Sequence, residues 1–110
     1  MTYRVIITAQ ALDKISEQVE FIAVKSSAPL NAARWLERVF DAAESLESMP
    51  RRFPSAPESA HHAEDVRALS IDGFLLLFVI RDADQTVHIL SARHGRQLPQ
   101  PDDLTMPRDT

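Results

Sequence analysis

The sequence predicts a single α+β domain: a strand, a two-helix hairpin, then a three-stranded antiparallel meander, with the four strands forming one antiparallel sheet under the helices. Three observations carry this. β-branched residues open the chain, two stretches of helical period follow, and an Asp72-Gly73 hairpin signal sits between two apolar runs. A chain of 110 residues holds one hydrophobic core and not two, so residues 1–98 are read as one domain that every motif must serve.

Tyr3 to Thr8 is rich in β-branched and aromatic residues and reads as the first strand, with Thr8 placed to cap a helix. Leu12, Ile15, Val19, Ile22 and Ala23 then recur at helical spacing, while Asp13, Lys14, Glu17 and Glu20 fall outside the stripe. Ser26-Ser27-Ala28-Pro29 is a polar break whose proline suits a first helical turn, where its missing N–H would be unpaired anyway. The second helix is expected to bury Ala32, Leu36, Val39, Phe40, Ala43 and Leu46, to carry Trp35 at the border of that face, and to stop near Pro50. The short connection makes the two helices antiparallel neighbours.

Arg51 to Glu64 shows no periodicity and reads as a surface loop. Val66 to Ile71 and Phe74 to Ile80 flank the Asp72-Gly73 turn, and the unbroken apolar run of the latter predicts a central strand covered on both faces. Arg81 to Gln85 turns the chain into a fourth strand, Thr86 to Ala92, which runs into Arg93-His94-Gly95-Arg96. Beyond Leu98 three prolines fall among 12 residues with several charges, so residues 99–110 are expected to form a flexible tail.

Composition narrows the chemistry. Apolar residues at 45% and charged residues at 25% describe a globular chain. The absence of cysteine excludes a disulfide framework, a thiolate zinc site and a cysteine nucleophile. The N-terminus lacks the basic and apolar regions of a signal peptide, and the run Phe74 to Ile80 is too short to span a bilayer, so a cytoplasmic protein with no membrane contact is expected. A net charge of −4 counts against general nucleic-acid binding but allows a local basic patch.

Arg93, His94 and Arg96 are such a patch. Guanidinium forks grip phosphate or carboxylate, imidazole transfers protons near neutral pH, and Gly95 lets the backbone turn as the strand ends. The competing reading is a strand end with an arginine paired to nearby acids. His61 and His62 are adjacent in a polar loop with no further ligands in a metal-binding pattern, so no metal and no cofactor are expected. His88 reads as a packed or edge histidine. A two-residue turn at Asp72-Gly73 pairs Ile71 with Phe74, Leu69 with Leu76 and Arg67 with Phe78, several strand positions away from the terminal cluster. Arg51 and Arg52 are left as neighbours of either sheet end. Neither a phosphate loop, nor a GxSxG elbow, nor a carboxylate pair is present.

The order of elements, together with specific strings, resembles the RelE/ParE superfamily of toxins from type II toxin-antitoxin systems. The strings are Tyr3-Arg4-Val5, Ala32-Ala33-Arg34-Trp35, Leu46 to Pro50, Ala56-Pro57-Glu58, Val66-Arg67-Ala68-Leu69, Leu75 to Ile80 and Arg93-His94-Gly95-Arg96, and the likeness covers Tyr3 to Leu98. The resemblance implies one of two actions. RelE-like members cut mRNA on the ribosome with basic side chains on the middle strands, whereas ParE-like members lack that set and are associated with poisoning DNA gyrase. Here Val66, Ala68, Ser70, Leu75, Leu77 and Val79 stand where such basic groups would be, which favours the ParE-like branch and a toxin that is not an enzyme.

The same resemblance implies a cognate antitoxin in a hetero-oligomer. If the helices cover one sheet face, the other is expected to offer Leu75 and Leu77 to that partner, with Arg93, His94, Arg96 and Arg67 contacting target or antitoxin. Were the chain instead a ribosome-dependent endonuclease, His94, Arg93 and Arg96 would be its catalytic candidates. A non-toxic antitoxin-binding module is the third alternative.

Overall fold

A computed structural model describes residues 2–25 and 27–97. The expected tail at 99–110 lies outside the described residues. β1 (Arg4–Ile7) leads into α1 (Ala9–Glu20), which a π-helical turn, Phe21–Lys25, prolongs. α2 (Pro29–Ser45) returns, and β2 (Arg67–Ile71), β3 (Phe74–Arg81) and β4 (Thr86–His94) complete the sheet. Among the described residues no helix is long and apolar enough to cross a membrane.

The sheet has the order β1-β4-β3-β2 and is mixed, not antiparallel throughout. β1 pairs with β4 in parallel, Arg4 opposite Thr86 and Ile7 opposite Ile89. The helical hairpin brings the chain back to the end where β1 begins, where the Tyr3 N–H donates to the Glu47 carbonyl at 2.8 Å. β2 therefore sets out in the direction of β1, and two reversals later β4 does so again. The β2–β3 register is the one the Asp72-Gly73 turn demands: Ile71 opposite Phe74, Leu69 opposite Leu76, Arg67 opposite Phe78. Asp72 and Gly73 both adopt positive φ, 51° and 83°, as a two-residue hairpin requires.

Thr8 caps α1 as expected, accepting the Ala11 N–H, and also donates its hydroxyl to the Ile89 carbonyl at 2.8 Å. The helix faces are rotated from the expected ones. α1 buries Ala11 and Ile15, and Leu12 is 41% exposed. In α2 Trp35 is the buried centre, stacked edge-on against Phe74 at 5.2 Å, while Phe40 is 43% exposed. The helix-side core joins Ala11, Ile15, Trp35, Val39 and Leu46 to Leu69, Phe74, Leu76, Phe78 and Ile89.

The other face of the sheet is not open. The segment after α2 forms 3-10 turns at Pro50–Arg52 and Pro57–His61 and lies along β2, with the Ala56 N–H on the Val66 carbonyl at 2.7 Å and the Ala68 N–H on the Pro54 carbonyl at 3.0 Å. It buries Ala56 and Val66 with Leu77, Val79 and Leu90 in a second core. The expectation of an exposed apolar face is corrected accordingly: Leu77 is 2% exposed, and Leu75 is half-buried against the same cluster. β3 is thus covered on both faces, as its unbroken apolar run predicted.

Candidate functional site

The terminal cluster is built by a β-bulge. Leu77 faces Ser91 and Phe78 faces Ile89, leaving Leu90 as the extra residue. One inserted residue exchanges the two faces for everything beyond it. Val87 and Ile89 point to the helices before the bulge, and Ala92 does so after it. Arg93, opposite Leu75, is thereby turned to the loop side, and His94, opposite Phe74, to the helix side.

On the loop side Arg93 meets Glu58, from the Pro57–His61 turn. Nε and Nη2 donate to the two carboxylate oxygens at 2.6 and 3.1 Å, and the side chains are 10% and 1% exposed. Burial pushes the Glu58 carboxyl up, but the hydrogen bonds and charge of Arg93, helped by a backbone hydrogen bond, outweigh it and hold the group below the usual range. Nη1 donates to the carbonyls of His94 at 3.0 Å and Gln97 at 3.1 Å. Arg93 thus ties the loop to the chain that leaves β4.

On the helix side the His94 ring lies edge-on to Phe74 at 5.4 Å, with Nε2 2.9 Å from Oε1 of Gln18 on α1. The Gly95 N–H donates to the Gly73 carbonyl at 2.7 Å, and a Cβ at Gly95 would meet that oxygen at 3.2 Å. Arg96 is exposed and makes no hydrogen bond or ion pair among the described residues. A notch of about 400 Å³ is lined by Asp72, Gly73, His94, Gly95 and Arg96, and Arg38 of α2 is paired with the Asp72 carboxylate.

The remaining basic residues are engaged elsewhere. Arg67 lies opposite Phe78, away from the cluster, and donates to the carbonyls of Phe53 at 2.7 Å and Arg51 at 3.1 Å while pairing with Asp65. Arg81 grips Glu64 with two hydrogen bonds, 3.0 and 2.9 Å, which hold that carboxyl below its usual range despite partial burial. Arg51 joins Tyr3 and Asp82 at the opposite end of the sheet, and Arg52 donates to the carbonyls of Ser48 and Met49, just beyond α2. His62 is half-buried, its Nδ1 accepting the Glu64 N–H at 3.1 Å, and His61 is exposed. No group of three metal-ligating side chains occurs among the described residues.

His88, half-buried on the loop side opposite Val79, contacts the Thr86 hydroxyl through Nε2 at 3.1 Å, and that hydroxyl donates to Asp84 at 2.7 Å. The single hydroxyl proton is committed to Asp84, so Nε2 carries the ring proton and Nδ1, buried and unpartnered, is bare. Burial, then the charge of Arg81, lowers the pKa of this imidazole.

Sequence reasoning placed Arg93, His94 and Arg96 together but missed Glu58 and Gln18, which separate their roles. Glu58 stood inside the string Ala56-Pro57-Glu58, a sign that the loop carries more than a connection.

Over residues 5–99 the chain matches the family described as ParE toxin of type II toxin-antitoxin system, parDE. A search of curated proteins returns no match. Among solved structures it is similar to the chromosomal ParDE toxin-antitoxin system of P. aeruginosa, with a TM-score of 0.65 and 12% identity over 84% of this chain and 96% of that one. It is also similar to the RelBE2 toxin-antitoxin complex of Mycobacterium tuberculosis, with a TM-score of 0.56 and 21% identity over 86% of this chain and 99% of that one. The archaeal RelE-RelB complex of Pyrococcus horikoshii OT3 gives a TM-score of 0.51 and 16% identity over 89% and 100%. At these identities the structural likeness speaks for the fold.

Proposed function

The chain belongs to the ParE toxin family of type II toxin-antitoxin systems, and from that premise we propose that it arrests growth through DNA gyrase and replication until a cognate antitoxin neutralises it. The observation that carries the choice of action is where the arginines of the last three strands are spent. Arg67 holds loop carbonyls and Asp65, Arg81 holds Glu64, and Arg93 holds Glu58. Cleaving a phosphodiester needs several basic groups converging on one phosphate, with an acid and a base in hydrogen-bond reach. Arg96 and His94 alone remain exposed at the cluster, which suits contact with a partner better than nuclease chemistry. The antitoxin follows from the family and from neighbours that are themselves toxin-antitoxin complexes.

Inducible expression in a bacterial host tests this. Replication arrest with a DNA-damage response and intact mRNA is the expected outcome, relieved by co-expressing the neighbouring antitoxin gene. Simultaneous alanine substitution of Arg93, His94 and Arg96 should abolish the arrest. Rapid mRNA cleavage would replace this reading with the endonuclease one, and unimpaired growth would replace it with a non-toxic antitoxin-binding module.

A further inference from the structure

The basic cluster divides into a mount and a contact. Arg93 cannot reach a partner: four of its N–H groups are committed, to Glu58, to His94 and to Gln97, and the side chain is 10% exposed. What that guanidinium fixes is the turn beyond β4. The Gln97 N–H donates to the His94 carbonyl at 3.1 Å, and the Gln97 side-chain oxygen accepts the His94 N–H at 2.9 Å. Gly95 is pinned to the Gly73 carbonyl of the facing hairpin. Arg96 stands on this closed turn with its own guanidinium unpaired among the described residues, and the one acid in the notch, Asp72, is taken by Arg38.

We infer that the notch at the end of β4 is a carboxylate-binding site in which Arg96, held out by the Glu58–Arg93 mount, receives an acidic side chain of a protein partner. This rests on the cluster's being a binding surface, as proposed above. A guanidinium whose backbone is already fixed forfeits less entropy when a carboxylate engages its fork than one on a mobile loop. A protein partner is favoured over nucleic acid by charge. The body carries a net −4, and Asp72 lines the notch itself. A polyphosphate backbone would feel that field along its length, whereas one carboxylate needs only one fork.

The test uses the full chain, 15N-labelled, with two synthetic Leu- and Ser-containing peptides identical except at one central position, Glu in one and Gln in the other, and a single-stranded DNA oligonucleotide. The Glu peptide should shift the Arg96 Nε–H resonance, and the Gln peptide should not. Arg96→Ala, at an exposed position, should weaken binding of the Glu peptide by about tenfold, the worth of a charged hydrogen-bonded pair. Glu58→Gln keeps Arg96 but unlocks the mount, and should weaken it too while circular dichroism stays unchanged. Equal binding of the Gln peptide, no effect of Arg96→Ala or of Glu58→Gln, or displacement of the peptide by the oligonucleotide would each overturn the assignment. Loss of peptide binding beside intact growth arrest removes this site and leaves the toxin reading standing. Peptide binding by a chain that does not arrest growth does the reverse.

Discussion

Replacing Glu58 by alanine should destabilise the protein by about 3 kcal/mol. Breaking a buried ion pair by removing one partner costs roughly 3–5 kcal/mol, because the other charge is left without compensation. Arg93 keeps the carbonyls of His94 and Gln97, which places the value at the low end of that range. An exposed pair would be worth at most about 1 kcal/mol, so the two descriptions are well separated. Urea unfolding of the wild type, Glu58→Ala, Arg93→Met and the double variant Glu58→Leu/Arg93→Met gives the numbers. The double variant should recover most of the loss, since both charges leave together. The pH dependence supplies a check with a definite sign. Glu58 has a folded pKa below its ordinary 4.5, so its contribution is complete above that pH and is lost as pH falls through the lowered value. Wild type and Glu58→Ala should therefore converge on acidification. A loss under about 1 kcal/mol at neutral pH, or parallel curves down through pH ~3, would refute the buried pair.

Three further outcomes are expected. The folded pKa of His88 lies below its ordinary 6.5, so its stabilising contribution is present above that pH and is lost as pH falls below it. His88→Gln should lack this slope between neutrality and mild acid in urea titrations, and identical slopes would count against a bare, buried Nδ1. Thr8→Ala removes both the α1 cap and the hydroxyl bond to Ile89, and should cost about 1–2 kcal/mol in thermal or urea unfolding, while Thr8→Ser should cost much less. Gly73→Ala meets open space but keeps a φ of 83°, so its cost should be the backbone strain alone, about 1 kcal/mol, with the β2–β3 cross-strand NOEs retained.

Much of the fold was legible because local chemistry dictated it. The Asp72-Gly73 turn set the β2–β3 register residue by residue, and the uninterrupted run of β3 announced burial on both faces. The parallel pairing of β1 was not legible, since strand direction depends on where the helical hairpin sets the chain down. Trp35 and Phe40 were exchanged because both fit a helical stripe, and only the facing Phe74 decides which ring is enclosed. At the candidate site the residues could be read but their division could not. The Leu90 bulge carries no glycine to mark it, yet it decides that Arg93 and His94 face opposite ways. Glu58 lies 35 residues from Arg93 in a stretch with no periodicity, so no pattern joined them.

The parallel edge has a bearing on when the protein becomes itself during synthesis. β1 is made first but finds its partner only in β4, and the Thr8 hydroxyl waits for a carbonyl 81 residues later in the chain. At translation rates of roughly 5–20 residues per second, that interval lasts on the order of several seconds. Contacts this distant in sequence carry a large loop-closure cost and form late. The strand that completes the sheet also ends in the arginine turn, so maturation of the fold and display of Arg96 are one event, and a partly synthesised chain has no such surface to offer.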